Sequence, residues 1–530
     1  MVHAACVKEN FKLIAQYAAS STFALRVTEK RGEKILKVNS CIRKWFYTAF
    51  YNEDSWNQKI KNVLEENCQF LQRQNGRFND LLCIAQQYNQ AVFLKPGFPQ
   101  VECQNFPQLK PLSVDVVRKE RVNDDGPFMR NGKFYYSEED FAVNHSSEAL
   151  RIFISTQKER FLSLIGRILF FLFRVDIPFF SRFHYFHNNL VYQNDQPVSD
   201  EQRASSYWLG HASCLLHVPL HRLSVNIITD PVEGDLNRLF YPRMTKVARS
   251  IENCPAIHVV LLSHNHFDHY SAATLKKLLA QQPVLVVPQG DGQKVAALGF
   301  QKVVEMSWWD KISLNVNQDD VSEELQITAT PSHHWSGQGI FDKNSALFTG
   351  FVIHALQGDI YFAGDSARLH DRHIAMLQHN FNIKTIFQPG GPDENRRDMQ
   401  STHQSSADGL WMFFSLLISH IGAEQNSSKE EFMLRVRELK MIYMHMKTYK
   451  LGNLHFDDTD QSIYRIITAL RQGNIEELKE YELKVYNELL NIGQRIKFQE
   501  EGLTPLDISN IVESCVVIPR IGMRTDLSSS

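Results

Sequence analysis

The spacing of apolar and polar residues changes twice along the chain and divides it into three regions. Up to about residue 120, apolar residues recur every three or four positions, which predicts helices. Between about 205 and 450, short β-branched runs alternate with clusters of Gly, Asp and Pro, which predicts strands and turns. After about 460, segments rich in Glu, Lys and Leu predict helices again.

The middle region alternates predicted strands with predicted helices, and this order is typical of an α/β domain. The predicted strands are residues 225–229, 258–262, 284–287, 326–330, 360–362, 384–387 and 441–444. The predicted helices include residues 272–281 and 407–418. Four prolines between residues 96 and 111 indicate a linker ahead of this region.

Composition and charge exclude several classes of protein. With 43% hydrophobic and 22% charged residues, the chain has the composition of a globular protein. The net charge of −2 argues against a nucleic-acid-binding protein. The eight cysteines include no Cys-x-x-Cys pair, which argues against a disulfide framework and a cysteine-based zinc site. Neither a signal peptide nor an apolar run of membrane-spanning length is evident, so we expect a cytoplasmic protein.

One apolar segment, residues 161–180, has two interpretations. Its apolar run at 161–173, rich in Phe, Leu and Ile, is flanked by Lys158, Arg160 and Arg174 and is too short to span a bilayer. It is either a helix buried in the domain or a surface helix that enters a membrane interface beside basic residues. Periodicity does not separate the two, so peripheral contact with a membrane is one of the two expectations.

A dense group of potential metal ligands follows the predicted strand 258–262. His264, His266, Asp268 and His269 lie within six residues, and imidazole nitrogens and carboxylate oxygens are typical ligands of Zn²⁺. In a turn, alternate side chains point to opposite sides. His264 and His266 are therefore candidates for one metal, and Asp268 and His269 for a second.

Further donors follow other predicted strands of the same region. His333 and His334 follow strand 326–330, Asp365 follows strand 360–362, and His445 follows strand 441–444. Ligands in α/β sheets collect beyond the carboxyl ends of the strands, so these donors are expected to meet. Of the adjacent pair, either His333 or His334 could supply the ligand.

Several motifs occur in an order that resembles a known family. The run His264-x-His266-x-Asp268-His269, with Asp365 and His445 downstream, resembles the metallo-β-lactamase superfamily of binuclear metal hydrolases. Other matching segments, among them Gly-His-Ala-Ser at 210–213 and Thr-Asp-Pro at 229–231, are similar to the N-acylphosphatidylethanolamine-hydrolysing phospholipase D family. The resemblance covers residues 125–455. It implies a four-layer αββα sandwich. Outside the resemblance, the apolar spacing predicts a helical N-terminal region, 1–124, of unknown role and a helical C-terminal region, 456–530.

The resemblance also implies the roles of individual residues. It assigns His264, His266 and His334 to one Zn²⁺, and Asp268, His269 and His445 to the other. Asp365 would bridge the two ions, and other divalent metals are alternatives to zinc. Asp268, Asp365 and His403 would be the catalytic residues, with His403 near the metals but not bound to them.

Two further residues receive supporting roles from the same resemblance and the motif positions. Asp230 would orient a ligand imidazole, as the outer partners of metal sites generally do. His211 is expected to be a supporting or structural residue. We expect other histidines, including His370 and His373, to be surface or loop residues, because they have no partners at ligand spacing.

The implied activity is that of a zinc-dependent phosphodiesterase of the phospholipase D type. It would cleave N-acylphosphatidylethanolamine-like phospholipids to phosphatidic acid and an N-acylethanolamine. Two sequence departures, His445-Met-Lys-Thr-Tyr449 and Gly364-Asp-Ser-Ala367, lie beside predicted ligands and leave the choice of substrate open. A metal-dependent lactonase or esterase acting on a soluble metabolite is the alternative, and a binding protein that has lost activity is a third hypothesis. The oligomeric state is unknown.

Overall fold

A computed structural model describes the residues that build the sandwich and its surrounding helices. The described residues are 25–30, 33–38, 112–144, 203–236, 243, 245, 247, 249–339, 342–392, 401–423, 428–449, 458–498, 501–519 and 523–527. The chain divides into two compact units. One comprises Met1–Gln100, Phe153–Tyr192 and Asn237–Lys246, and the other comprises Val101–Ile152, Gln193–Leu236 and Val247–Ser530.

Two mixed sheets belong to the second unit. The first has seven strands in the order Val303–Met306, Val284–Pro288, Val259–Leu261, Ser224–Thr229, Ser213–Pro219, Ser205–Gly210 and Arg524–Asp526. The second has eight strands in the order Val516–Val517, Lys440–Met444, Ile383–Pro389, Asp359–Phe362, Thr349–Ile353, Val321–Pro331, Asp310–Gln318 and Ser113–Arg121. All seven strands predicted for residues 225–444 are present, with bounds that differ by a few residues.

Both faces of the seven-stranded sheet are buried. On one face, alternate residues such as Ile228, Val260 and Leu285 join an apolar cluster with Leu275 and Leu278 from the helical segment that begins at Ala272. On the other face, the intervening residues, including Ile227, Leu261 and Val286, are also inaccessible to solvent. Apolar residues on both faces produce continuous rather than alternating hydrophobic runs, as expected for a sheet enclosed in a sandwich.

Helices cover the outer faces of the sheets. The helices are Glu138–Asn144, Ala272–Lys276, Gly292–Ala296, Asp371–Asn380, Ser406–Phe413, Ser419–Ala423, Lys429–Arg437, Asp458–Gln472, Glu480–Arg495 and Pro505–Cys515. A 3₁₀ turn spans Ile251–Asn253, and a π-helical turn spans Phe414–Ile418. Helix Ser406–Phe413 begins with a capping box from Ser405 and Asp408 and packs on strands Ile383–Pro389 and Lys440–Met444. The predicted α/β sandwich with two sheets and outer helices is confirmed.

The expectation of a helical N-terminal region is wrong at the residues that the structure describes. Leu25–Lys30 and Glu33–Val38 pair as an antiparallel hairpin, and Ser113–Arg121 is a strand of the eight-stranded sheet. A second hairpin, Phe128–Arg130 with Lys133–Tyr135, follows. Strand Ser113–Arg121 contains the β-branched residues Val114, Val116 and Val117, which favour a strand over a helix. The sheet therefore begins before the predicted boundary at residue 125.

The C-terminal region is part of the sandwich rather than a separate helical region. Its helices Asp458–Gln472, Glu480–Arg495 and Pro505–Cys515 are present as predicted. However, Val516–Val517 pairs with Lys440–Met444, and Arg524–Asp526 pairs with Ser205–Gly210. Each short strand contributes to a different sheet, so the boundary predicted at residue 455 does not coincide with the limit of the fold. Strands of two or three residues carry too little periodic signal to be predicted.

The membrane-related prediction concerns a different part of the chain. Residues 161–180 lie outside the described residues, and both interpretations of that segment remain predictions. Within the described ranges, no helix has the length and apolar character needed to cross a bilayer.

Candidate metal centre

The turn after strand Val259–Leu261 is held in place by one buried aspartate. The backbone N–H of Ser263 donates to Asp230 Oδ1 over 2.7 Å, and its hydroxyl donates to Asp230 Oδ2 over 2.6 Å. The backbone then folds back tightly, because the N–H groups of His269 and Tyr270 both donate to the carbonyl of His266. This short turn gathers the four potential ligands of the motif at one end of the sheet.

The first histidine cluster combines the turn with the end of strand Val321–Pro331. Nε2 of His264 lies 2.8 Å from Nδ1 of His266, which in turn lies 3.2 Å from Nε2 of His334. Burial lowers the pKa of His266 to about 3 and that of His334 to about 4, so both rings are neutral at pH 7. Three neutral imidazoles therefore direct nitrogens at one point.

The second cluster contains charged as well as neutral donors. Nε2 of His445 lies 3.4 Å from Asp268 Oδ2, and Nε2 of His269 lies 3.8 Å from the same oxygen. Burial opposes protonation of His445, but the carboxylates of Asp365 and Asp268 raise its pKa to about 9. The same two carboxylates raise the pKa of His269 well above its ordinary value, against the effect of burial. This cluster thus pairs ionised carboxylates with protonated histidines.

Asp365 lies between the two clusters. Its Oδ2 is 2.9 Å from Nε2 of His445, 3.1 Å from Nε2 of His269 and 3.8 Å from Nε2 of His334. Burial alone would raise the pKa of Asp365, but the adjacent histidines hold it well below its ordinary range. The carboxylate is therefore ionised, and it faces ligands from both groups.

The glycine before Asp365 permits this close approach. Gly364 has φ of +61°, and a Cβ at this position would come within 2.8 Å of the Ser263 Cβ and 3.0 Å of the Thr349 carbonyl oxygen. Only glycine meets both demands without displacing the neighbouring backbone. The strand end that carries Asp365 can therefore lie directly against the histidine turn.

Outer hydrogen bonds orient the imidazoles. His269 donates from Nδ1 to Asp230 Oδ2 over 2.8 Å, as the resemblance implied for Asp230. Nδ1 of His334 donates to the carbonyl of Thr402 over 2.7 Å, and Nδ1 of His264 lies 2.9 Å from the Ser263 hydroxyl. Each bond leaves Nε2 directed at the centre of the site, an arrangement common among metal-binding histidines.

His403 lies beside His334, whereas His333 points away from the site. The Nδ1 atom of buried His403 is 3.7 Å from Asp365 Oδ2, and its ring is 4.7 Å from that of His334. His333 points away from the site, since Nδ1 contacts the Arg368 carbonyl and Nε2 contacts Asp140. The structure therefore brings His403 to the site and does not bring His333 there.

Two histidines outside the predicted set of ligands lie in defined environments. His373 is fully buried, with Nδ1 2.7 Å from the Tyr136 hydroxyl and Nε2 3.0 Å from Asp125, so its prediction as a surface or loop residue is wrong. His211 lies in the second cluster, with Nε2 3.0 Å from Asp268 Oδ2. Only its place in the Gly-His-Ala-Ser match could have indicated this, because no ligand spacing links His211 to the other donors.

The donor chemistry fits metal binding. The described residues contain four overlapping groups of three or four His and Asp side chains whose potential ligand atoms lie within 4.8 Å of one another. Two of these groups are His264, His266 and His334, and His211, Asp268, His269 and His445. Histidine nitrogens and carboxylate oxygens in this number match the ligand preferences of zinc and similar divalent ions.

Comparison with known proteins identifies the class of the domain. Residues 225–446 match the family described as the beta-lactamase superfamily domain. The two-sheet sandwich and the arrangement of histidines and aspartates agree with this match, and together they support a domain of the metallo-β-lactamase superfamily in that segment. The superfamily resemblance carried by the sequence motifs is confirmed.

The chain is also similar to curated proteins whose names state an activity. It is 31% identical over 176 residues to the mitochondrial N-acyl-phosphatidylethanolamine-hydrolyzing phospholipase D of Saccharomyces cerevisiae, covering 32% of this chain and 36% of the yeast protein. It is 27% identical over 264 residues to N-acyl-phosphatidylethanolamine-hydrolyzing phospholipase D 1 of Caenorhabditis elegans, covering 47% of this chain and 65% of the worm protein. The chain thus spans about a third of the first relative and just under two thirds of the second. The family match and these two similarities support a metal-dependent hydrolase.

Solved structures add a distant likeness. Igni18, described as a novel metallo hydrolase from the archaeon Ignicoccus hospitalis, aligns with a TM-score of 0.36 at 14% identity. The alignment covers 62% of this chain and 99% of that one.

Proposed function

We propose that the chain is a binuclear zinc-dependent phosphodiesterase of the phospholipase D type. Its substrate would be an N-acylphosphatidylethanolamine-like phospholipid, and its products would be phosphatidic acid and an N-acylethanolamine. The observation that carries the proposal is the position of Asp365 between two groups of histidines, each with enough donors for one ion. The names of the yeast and worm relatives supply the substrate class.

The proposed ligands form two sets, one for each metal ion. His264, His266 and His334 would bind the first ion, and Asp268, His269 and His445 the second, with Asp365 shared. When bound, two divalent cations supply a water nucleophile at neutral pH and stabilise the charge that develops on a phosphoryl group. Other divalent metals satisfy the same donors, so the choice of zinc rests on the abundance of imidazole ligands.

The carboxylates of the site would accept the proton that the reacting water releases. Asp268 and Asp365 both have pKa values well below the ordinary range, because neighbouring histidines outweigh the effect of burial. They are therefore ionised at neutral pH and can accept a proton from a reacting water. Asp268 is the better candidate for passing that proton to solvent, since its side chain is 14% exposed and that of Asp365 only 1%.

His403 would contact the substrate or the reacting water. Burial holds its pKa well below the ordinary value, so the ring is neutral and does not repel nearby cations. It lies beside His334 and within 5.3 Å of the His445 ring, between the two groups of donors. A neutral imidazole there can orient a phosphoryl oxygen or a water by hydrogen bonding.

The experiment that tests the proposal is product analysis by mass spectrometry in H₂¹⁸O. Purified, zinc-loaded protein is incubated with mixed phospholipids that include N-acylphosphatidylethanolamine. Attack of water on phosphorus breaks the bond to the ethanolamine oxygen, so one ¹⁸O should appear in phosphatidic acid and none in the N-acylethanolamine. Chelator treatment should abolish the products, and added zinc should restore them.

The same experiment separates the alternative chemistry. Attack at a carbonyl carbon would instead release ¹⁸O-labelled fatty acid, as expected of an esterase. A zinc-loaded protein that leaves the phospholipids intact but opens lactones would favour the soluble-metabolite hypothesis. Undiminished phospholipid cleavage in metal-free protein would contradict the proposed mechanism altogether.

A further inference from the structure

The turn between strands Ser205–Gly210 and Ser213–Pro219 places His211 against the second cluster. The His211 imidazole is almost fully buried, and its Nε2 lies 3.0 Å from Asp268 Oδ2. Its ring centroid is 4.0 Å from that of His445. His211 therefore contacts two of the proposed ligands of the second ion, although it follows none of the strands that carry them.

The backbone of His211 is fixed from both sheets. Its carbonyl accepts one hydrogen bond from the His445 N–H over 3.0 Å and another from Trp208 Nε1 over 2.7 Å. Its own N–H donates to Thr448 Oγ1 over 2.6 Å. These bonds connect the turn of the seven-stranded sheet to the loop that follows strand Lys440–Met444 of the eight-stranded sheet.

The conformation of His211 depends on these contacts. Its φ is +54°, in the left-handed region that residues other than glycine adopt rarely. Such a conformation persists where the surroundings determine it, and it is most frequent at functional sites. Here it directs the side chain toward Asp268 while the backbone carbonyl meets His445.

Among the proposed ligands of the second ion, Asp268 is the one that most needs an external restraint. Its side chain is 14% exposed, whereas those of His269, Asp365 and His445 are at most 1% exposed. A partly exposed carboxylate can rotate into water unless a hydrogen bond holds it. The Nε2 atom of His211 is positioned to supply that bond from the buried side.

We infer that His211 is a positioning residue, whose Nε2–H donates to Asp268 Oδ2 and fixes the carboxylate relative to His269 and His445. The inference rests on the proposed function, because the orientation of Asp268 matters only if Asp268 binds the second ion. His211 acts through Asp268 and is not itself a ligand.

Two substitutions separate the side-chain bond from the backbone conformation. In His211→Gln, the amide nitrogen occupies nearly the place of Nε2, so a donor to Asp268 is retained. In His211→Asn, the left-handed backbone is well tolerated, but the amide is too short to reach Asp268. His217→Asn is the matched control, since His217 is a buried histidine of the same hairpin that contacts Asn226.

The measurements are zinc content per chain, zinc affinity by chelator competition, kcat and KM on the phospholipid, and the melting temperature without metal. We expect His211→Asn to weaken binding of one of the two ions and to lower kcat by about 10–100-fold, the usual loss when an outer partner of a ligand is removed. KM should change little. His211→Gln should recover most of both losses, and His217→Asn should retain normal zinc affinity.

The possible results are distinguishable. Normal zinc affinity and kcat in His211→Asn would overturn the inference, while cleavage by the unsubstituted protein would still stand. Loss of an ion in His211→Gln as severe as in His211→Asn, with melting temperatures equal to the control, would make His211 a ligand and also overturn it. An unsubstituted protein that binds no zinc would instead contradict the proposed function.

Discussion

The two donor clusters differ in charge, although they share a turn and lie on either side of Asp365. The cluster of His264, His266 and His334 consists of imidazoles whose pKa values are lowered by burial. In the other cluster, nearby carboxylates raise the pKa values of His269 and His445 despite burial. The first cluster is therefore neutral and can bind a metal without losing protons, whereas the second holds protons that a metal must displace.

This difference shows that one sequence motif can supply two dissimilar sites. His264 and His266 direct their rings to the side where His334 supplies only another imidazole. Asp268 and His269 face the side where Asp230 and Asp365 lie. The carboxylates beside the imidazoles decide whether protons compete with the metal.

The largest effect should follow loss of the carboxylate that both clusters share. Asp365→Asn removes the negative charge near both ions, so metal content should fall at both sites and kcat should drop by more than about 100-fold, beyond the usual effect of an outer residue. His403→Ala should lower kcat while both ions are retained. Metal analysis and single-substrate kinetics on the two variants provide the check. Full zinc occupancy in Asp365→Asn would mean that the two clusters are independent.

Acidity should affect the two clusters unequally. Without metal, His445 has a pKa of about 9, so it is protonated at pH 7 and must lose its proton to become a ligand. Zinc affinity of the second cluster should therefore rise with pH, by about tenfold per unit for each displaced proton. The part of this rise that comes from His445 should level off near pH 9. The first cluster should show little change between pH 6 and 9.

Chelator competition at several pH values, with proton release followed in weak buffer, measures this difference directly. The first cluster can be observed alone in a His445→Ala variant. Equal pH slopes for both ions would remove the distinction between the clusters.

An outer carboxylate should influence one cluster more than the other. Asp230→Asn replaces the group that accepts from Nδ1 of His269, and affinity for the second ion should fall by about 10–100-fold. The first ion should be less affected, because its histidines reach Asp230 only through Ser263. Zinc titration of the variant distinguishes the two ions by their separate transitions. A larger loss at the first site would reverse the assignment of Asp230.

The smallest effect should come from the glycine that brings Asp365 to the turn. Gly364→Ala should lower the free energy of unfolding by about 1–2 kcal/mol for the left-handed backbone, plus the cost of contacts at 2.8 Å and 3.0 Å. Gly132→Ala is the control, because Gly132 has φ of +72° with nothing within 4 Å of its added Cβ. Denaturant unfolding of both metal-free variants gives the difference. Equal losses would show that the turn tolerates the added methyl group.

Sequence reasoning predicted the parts of the site that lie close together along the chain or at strand ends. The seven strands that carry or flank the donors were predictable, because buried sandwich strands produce continuous apolar runs bounded by turn residues. The choice of His334 over His333 agrees with where their side chains point, but it came from the family resemblance. Nothing in local spacing separates two adjacent histidines.

The contacts that the sequence did not indicate have a common physical cause. The pairing of Ser113–Arg121 with Asp310–Gln318, and of Arg524–Asp526 with Ser205–Gly210, joins segments that are distant in sequence. The contact of His211 with Asp268 likewise depends on a hairpin end meeting a turn from another part of the sheet. Such contacts depend on packing in three dimensions, so the pattern of apolar residues within either segment does not predict them.

The pairing of Arg524–Asp526 with Ser205–Gly210 affects how the domain folds during its synthesis. During synthesis, strand Ser205–Gly210 emerges from the ribosome long before its partner, and until then one side of it has unpaired N–H and C=O groups. Such open strand edges promote association between nascent chains, and long-range pairing slows folding. We therefore expect the yield of folded protein to depend on translation speed and chaperone supply more than its final stability would suggest.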